Sequence, residues 1–162
     1  MLFQSSFDQS WGIFRLRDLV EEVCQALEPR NPDQAIQTII DIPRNQTVVG
    51  DRKLLRQAVR NLVLNSVEAM PEGGCLIATS IGGPNTIELE IADTGPSLSE
   101  EQRQQAFELL PTAQRGGTGW GLAVVRRIAE LHGGSVTAMN CPDGGAAFTL
   151  RIPRTAALEA AA

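Results

Sequence analysis

Apolar residues along this chain keep changing their period, and each change marks an element. Leu19, Val20, Val23 and Leu27 recur at helical spacing behind Asp18, with Glu21 three residues on. That pattern predicts a helix opened by a capping box and closed by Pro29 and Pro32. A short strand over 14–16 precedes it. Ile36 to Ile42 and Thr47 to Val49 read as strands, and Gly50-Asp51 caps the next helix. In that helix, 52–70, Leu55, Ala58, Val59, Leu62, Val63 and Met70 form the core side. Pro71 to Gly74 breaks it. The period then drops to two. Strands over 75–81 and 86–93 flank a turn at 82–85, and Ile87, Leu89 and Ile91 share one face while Glu88 and Glu90 share the other. Ser99 with Gln102 predicts a second capping box, for a short helix to about 109. Leu122, Val125, Ile128 and Ala129 predict a helix that Gly133 stops. Strands over 135–140 and 147–152 form a hairpin around Pro142 to Gly145, and Pro153 ends the fold.

Three positions stand apart from this packing pattern. Asp93 falls on the apolar side of its strand, where a carboxylate costs several kcal/mol unless it is paired. Its donor is either an internal turn N–H or a ligand amine. Gln57, Asn61, Asn65 and Glu68 line up on one side of the 52–70 helix. This stripe is either a solvated face or a source of hard oxygen ligands for Mg²⁺. Gly116, Gly117, Gly119 and Gly121 crowd a loop that feeds a helix. That loop is either merely flexible or an anion site built from a helix N-terminus.

Composition narrows the choices. A chain of 162 residues with net charge −5 is one domain with no basic footprint for nucleic acid. Cys24, Cys75, Cys141 and the single histidine make no zinc spacing, and reduced thiols in a cytoplasmic protein are expected. No membrane-spanning run or signal peptide is present. Lys53 is the only lysine, so the glycine loop lacks the lysine that ends a P-loop. Gly117 to Gly121 also comes late and without βαβ alternation, unlike a dinucleotide fingerprint. Hairpins separated by helices predict an α/β (α+β) two-layer sandwich: one mixed sheet with helices on one face. Phe3, Phe7 and Trp11 recur every four residues in a segment, 1–13, that reads as a leader or linker, with docking to a preceding domain as the alternative.

In this order the motifs resemble the ATP-binding catalytic domain of sensor histidine kinases, in the superfamily shared with gyrase, Hsp90 and MutL. The run from Asn61 to Met70 looks like the family's N box, Asp93-Thr94-Gly95 like its first glycine box and Phe107-Glu108 like the start of its F box. Gly117 to Leu122 looks like the second glycine box, and Leu131 to Gly134 matches the usual end of the next helix. The resemblance covers 14–153, leaving 154–162 as a tail, and implies a Bergerat-type fold with a mobile ATP lid at about 96–117. It implies ATP and Mg²⁺ as cofactors. Asn65 would ligate the metal and Asn61 would stand beside it. Asp93 would accept the adenine amine and Gly95 would back the ring. Arg115, Gly117, Thr118, Gly119, Gly121 and Leu122 would receive the phosphates. Trp120 and His132 read as structural.

Two departures bear on phosphoryl transfer. Ser97 stands at a family glycine, and Gln114 stands where the lid commonly carries a lysine. The implied partners are a separate dimerisation domain bearing the phosphoacceptor histidine and a response regulator downstream. No nucleic-acid or membrane contact is implied, and the domain alone would be a monomer. Two alternatives remain: a free-standing anti-sigma-type serine kinase, and a docking module without catalysis.

Overall fold

The computed structural model describes residues 11–27, 33–108 and 121–154. β1 (Trp11–Arg15) runs straight into α1 (Leu16–Gln25). β2 (Ile36–Asp41), β3 (Thr47–Asp51), α2 (Arg52–Glu68), β4 (Gly74–Gly82) and β5 (Thr86–Asp93) follow. Then come α3 (Glu100–Gln105), α4 (Gly121–Leu131), β6 (Ser135–Asn140) and β7 (Ala146–Pro153). Five strands form one sheet in the order β2-β4-β5-β7-β6, and β1 pairs with β3 in a separate two-stranded ribbon. β2 and β4 are parallel, with β3 and α2 in the connection between them, and the other pairs are antiparallel: β4–β5 and β6–β7 as hairpins, β5–β7 across a longer connection. The sheet is therefore mixed, as the period changes predict.

Strand parity fixes which face is packed. Leu76 and Ala78 of β4, Ile87, Leu89 and Ile91 of β5, and Phe148, Leu150 and Ile152 of β7 point one way and are buried. They meet Leu19, Val20 and Val23 of α1, Leu55, Val59, Leu62 and Val63 of α2, and Val125 and Ile128 of α4 in a single apolar cluster. Asp51 caps α2 by accepting the Leu54 N–H at 3.1 Å. Ser99 and Gln102 make both bonds of the expected capping box, at 3.0 and 2.9 Å.

Four readings change. α1 begins at Leu16, before the expected Asp18 cap, because the β1 backbone delivers Leu16 into the core and its N–H donates to the Gln46 carbonyl at 3.1 Å. Asp18 instead lies in the first turn, where a carboxylate still complements the helix dipole. Trp11 to Ile13 belong to β1 rather than to a leader, since they pair with Asp51, Gly50 and Val49. Arg154 belongs to the domain rather than to the tail. Its N–H donates to Asn85 O at 2.7 Å and its guanidinium to Gly83 O at 3.0 Å. Finally, the first part of the expected lid is fastened down. Leu98 and Ala106 are buried, and Leu98 exchanges two hydrogen bonds with the Asn140 amide at 2.7 and 2.8 Å. Phe107 sets its ring edge-on to Phe148, 6.3 Å between centroids. The described part of the expected lid, 96–108, is thus packed on the domain, and its remainder lies outside the described residues.

His132 is structural, as expected, and its geometry carries a pH signature. Its Nε2 accepts the Asp51 N–H at 3.0 Å, so Nδ1 bears the proton and donates to Ile128 O at 2.8 Å. The Trp11 ring stacks on it at 4.9 Å, and a Cβ on Gly50 would fall 2.8 Å from its Cδ2. Burial lowers its pKa below 6.5, partly offset by the Ile128 carbonyl and the Asp51 charge. Protonation would place an N–H against the Asp51 N–H. The folded pKa is the lower one, so the unfolded chain binds the extra proton first and stability is lost as pH falls. We expect the urea midpoint to be flat above about pH 7 and to decline from about pH 6.5 downward. His132→Gln should flatten the decline attributable to this group. The same slope in both proteins would sink the assignment.

Candidate functional site

α2 links the two ends of the site. Near its C-terminus, β5 delivers Asp93 on its core face, 2% exposed, at the end of the strand. The Asp93 Oδ1 accepts two internal N–H donors, Gly95 at 3.0 Å and Ala146 at 3.2 Å. Internal donors therefore do hold the carboxylate, as one of the two sequence readings has it. A carboxylate offers about four lone-pair positions, and these two bonds orient the group. Gly95 is required by contact: a Cβ there would lie 2.7 Å from Ala69 O at the end of α2. Thr94 Oγ1 accepts the Cys75 N–H at 2.9 Å and approaches Met70 Sδ at 3.5 Å, tying the same turn to β4 and α2.

About two helical turns back along α2, roughly 12 Å at 1.5 Å per residue, stands Asn61. Its Nδ2 donates to Gly121 O at 3.2 Å, placing the α4 N-terminus beside it. A helix start presents unpaired N–H groups and the positive end of its dipole to an anion. Asn65, one turn from Asn61 toward Asp93, is half-buried, and its Nδ2 is buried without a hydrogen-bond partner among the described residues. The oxygen of the same amide is the kind of hard ligand that Mg²⁺ takes. Asn61, Asn65, Gly121, Asp93 and Gly95 are thus strung along α2 on the scale of a nucleoside triphosphate.

Leu122 differs from the others. Its side chain is in the core, 8% exposed, so only its backbone can serve a ligand. Arg115, Gly117, Thr118, Gly119 and Trp120, with Gln114, lie outside the described residues. Among the described residues no group of three or more His, Cys, Asp or Glu is gathered to hold a metal ion. Burial pushes the Cys24 thiol up to about 11, which disfavours its thiolate form.

Two supports of the site escape a local reading of the sequence. Gly145, with φ +91°, packs against the Asp93 carbonyl and sets up the Ala146 N–H bond. Gln34, buried before β2, donates to Val67 O and Met70 O at 3.1 and 3.0 Å and so closes the α2 C-terminus. The signal for the first is the Gly144-Gly145 pair; Gln34 has none.

The family model described as histidine kinase-, DNA gyrase B- and HSP90-like ATPase matches residues 50–156. The chain belongs to this family. Among curated relatives, the signal transduction histidine-protein kinase BaeS of Escherichia coli is 32% identical over 141 residues, 83% of this chain and 30% of that protein. The catalytic domain of histidine kinase ThkA, in a nucleotide-free form, superposes with a TM-score of 0.81 at 29% identity, covering 89% of this chain and 95% of the other. Full-length ShkA in complex with AMPPNP superposes with a TM-score of 0.76 at 27% identity, covering 89% and 31%. The chain spans between 8% and 37% of the length of eight curated relatives it matches. As an ATPase-family domain it is a nucleotide-binding fold. Among the described residues no helix is long and apolar enough to cross a membrane.

Proposed function

We propose that this domain binds ATP with Mg²⁺ and serves as the catalytic part of a two-component sensor histidine kinase. It would pass the γ-phosphoryl group to a histidine on a separate dimerisation domain, with ADP as the leaving product and a response regulator as the next acceptor. The observation that carries the reading is the single helix, α2, with Asn61 and Asn65 beside the α4 N-terminus at one end and the oriented Asp93 at the other. Asp93 would accept the adenine amine and Gly95 would let the ring lie against backbone. Asn61 would hold the α4 start in place, and that helix end would receive phosphate oxygens. Asn65 would hold Mg²⁺, whose charge would offset that developing on the phosphates. The glycine loop, with Arg115 and Thr118, would complete the phosphate contacts. The sensor kinases among the relatives favour this over the anti-sigma and docking alternatives, and the domain would act in the cytoplasm.

The test is calorimetric titration with ATP and ADP, with and without Mg²⁺. Binding at micromolar to millimolar Kd, tightened by Mg²⁺, is expected. Asn65→Ala should remove the Mg²⁺ enhancement while leaving the Mg²⁺-free affinity within about threefold. A retained enhancement removes Asn65 from the metal site. No binding by the parent chain removes the proposal as a whole.

A further inference from the structure

Register fixes the outer face of the five-stranded sheet as firmly as the inner one. Ile39 pairs with Ile77, Ile77 with Ala92, Ala92 with Ala147, and Ala147 with Met139. All five alternate away from the core, so one apolar row crosses every strand. Ala92 and Ala147 form a low floor on β5 and β7, each 8% exposed, with Ile77 and Met139 standing on either side. Ile39 is 42%, Met139 61% and Ile81, two residues beyond Thr79 on the same face, 70% exposed. Three of the five large apolar side chains exposed among the described residues therefore gather here. The neighbouring row is polar and acidic. Asp41 pairs with Thr79, and Thr79 with Glu90. The cation of this face among the described residues, Arg151, stands 3.8 Å from Glu88. Asp41 and Glu90 are exposed and have no ion pair among the described residues.

We propose that this face docks an amphipathic helix of a partner protein whose apolar stripe is flanked by Lys or Arg. The stripe would lie on the Ala92–Ala147 floor between Ile77 and Met139, and the basic residues would reach Glu90 and Asp41. The walls stand on β4 and β6, three strand spacings or about 14 Å apart, and a helix is about 10 Å across, so one helix fits the trough. Charge selects the occupant. A second copy of this chain would bring the same carboxylates and the same net charge of −5 against this face. Nucleic acid and anionic lipid are disfavoured for the same reason.

The probe is a synthetic Leu/Lys helix with a single leucine stripe, titrated into the chain with methyl-labelled Ile, Ala and Met and followed by NMR. Shifts should concentrate at Ile39, Ile77, Ala92, Ala147 and Met139. Met139→Glu and Glu90→Lys, both at exposed positions, should each weaken binding by about tenfold, and added salt should weaken it further. Nucleotide titration of each variant checks that the fold survives. A Leu/Glu helix should not bind. Shifts on the helical layer, equal affinity for Met139→Glu, or equal affinity for the Leu/Glu helix would each overturn the proposal. So would a dimer of the chain alone that Met139→Glu dissociates, which would assign the face to self-association.

Discussion

Asp93→Asn is expected to lower the affinity for both ATP and ADP by about 100-fold or more, roughly 2.7 kcal/mol, while leaving the fold intact. The two expectations come from the two halves of one carboxylate. Its Oδ1 accepts Gly95 N–H and Ala146 N–H. An asparagine oxygen can take over both bonds, so the turn should keep its shape and the urea midpoint should shift little. Holding the amide oxygen there forces the amide nitrogen toward the position from which the adenine amine would be accepted. Two donors then face each other in a buried site, and each loses its partner. ADP should suffer as much as ATP, because the lost contact is to the base and not to the phosphates. Unchanged calorimetric affinity for Asp93→Asn would falsify the adenine assignment. A large loss in urea midpoint alongside the lost binding would show instead that the carboxylate acts by holding the turn.

The parts of this domain that were readable in the sequence are those whose physics is local. The Asp51 cap and the Ser99–Gln102 box need only a few neighbouring residues. Asp93 could be placed on the core face because strand parity is simple counting along Ile87, Leu89 and Ile91. The same counting fixes the apolar row of the outer face once the pairing is known, but the pairing itself joins residues far apart in the chain. The start of β1 is obscured because Trp11 continues the four-residue spacing of Phe3 and Phe7; its identity comes from pairing with β3, a long-range event. The packing of residues 98–107 onto the domain is hidden for a related reason. Leu98, Ala106 and Phe107 look like loop and short-helix residues until Asn140 and Phe148 arrive from the end of the chain. Gln34 is one more polar residue in a loop until it meets the α2 C-terminus. The Asn61–Asn65 stripe stood undecided on helix periodicity, and its direction comes from Gly121 packing beside Asn61, 60 residues away.

Gly145→Ala is expected to be the most damaging small substitution near the site. Gly145 sits at φ +91°, where an L side chain is strained, and a Cβ there would lie 1.9 Å from the Asp93 carbonyl oxygen and 2.9 Å from its carbon. Neither neighbour can yield cheaply, because both are backbone at the end of a central strand. The hairpin would have to withdraw from β5. That withdrawal would take Ala146 N–H away from the Asp93 carboxylate, leaving a buried charge with one fewer donor. Strain, clash and the lost bond together should cost about 3 kcal/mol or more, seen as a lower urea midpoint at unchanged m-value. Nucleotide affinity should fall as well, since the acceptor loses its orientation. Gly144→Ala makes a sharp control. Gly144 also has positive φ, at +102°, but a Cβ there meets nothing within 4 Å. It should cost only the backbone strain, about 1–2 kcal/mol, and leave the nucleotide affinity of the folded protein unchanged. Equal losses for the two alanines would mean that backbone conformation alone matters in this turn. A selective loss for Gly145→Ala would mean that the β6–β7 turn is a working part of the Asp93 site.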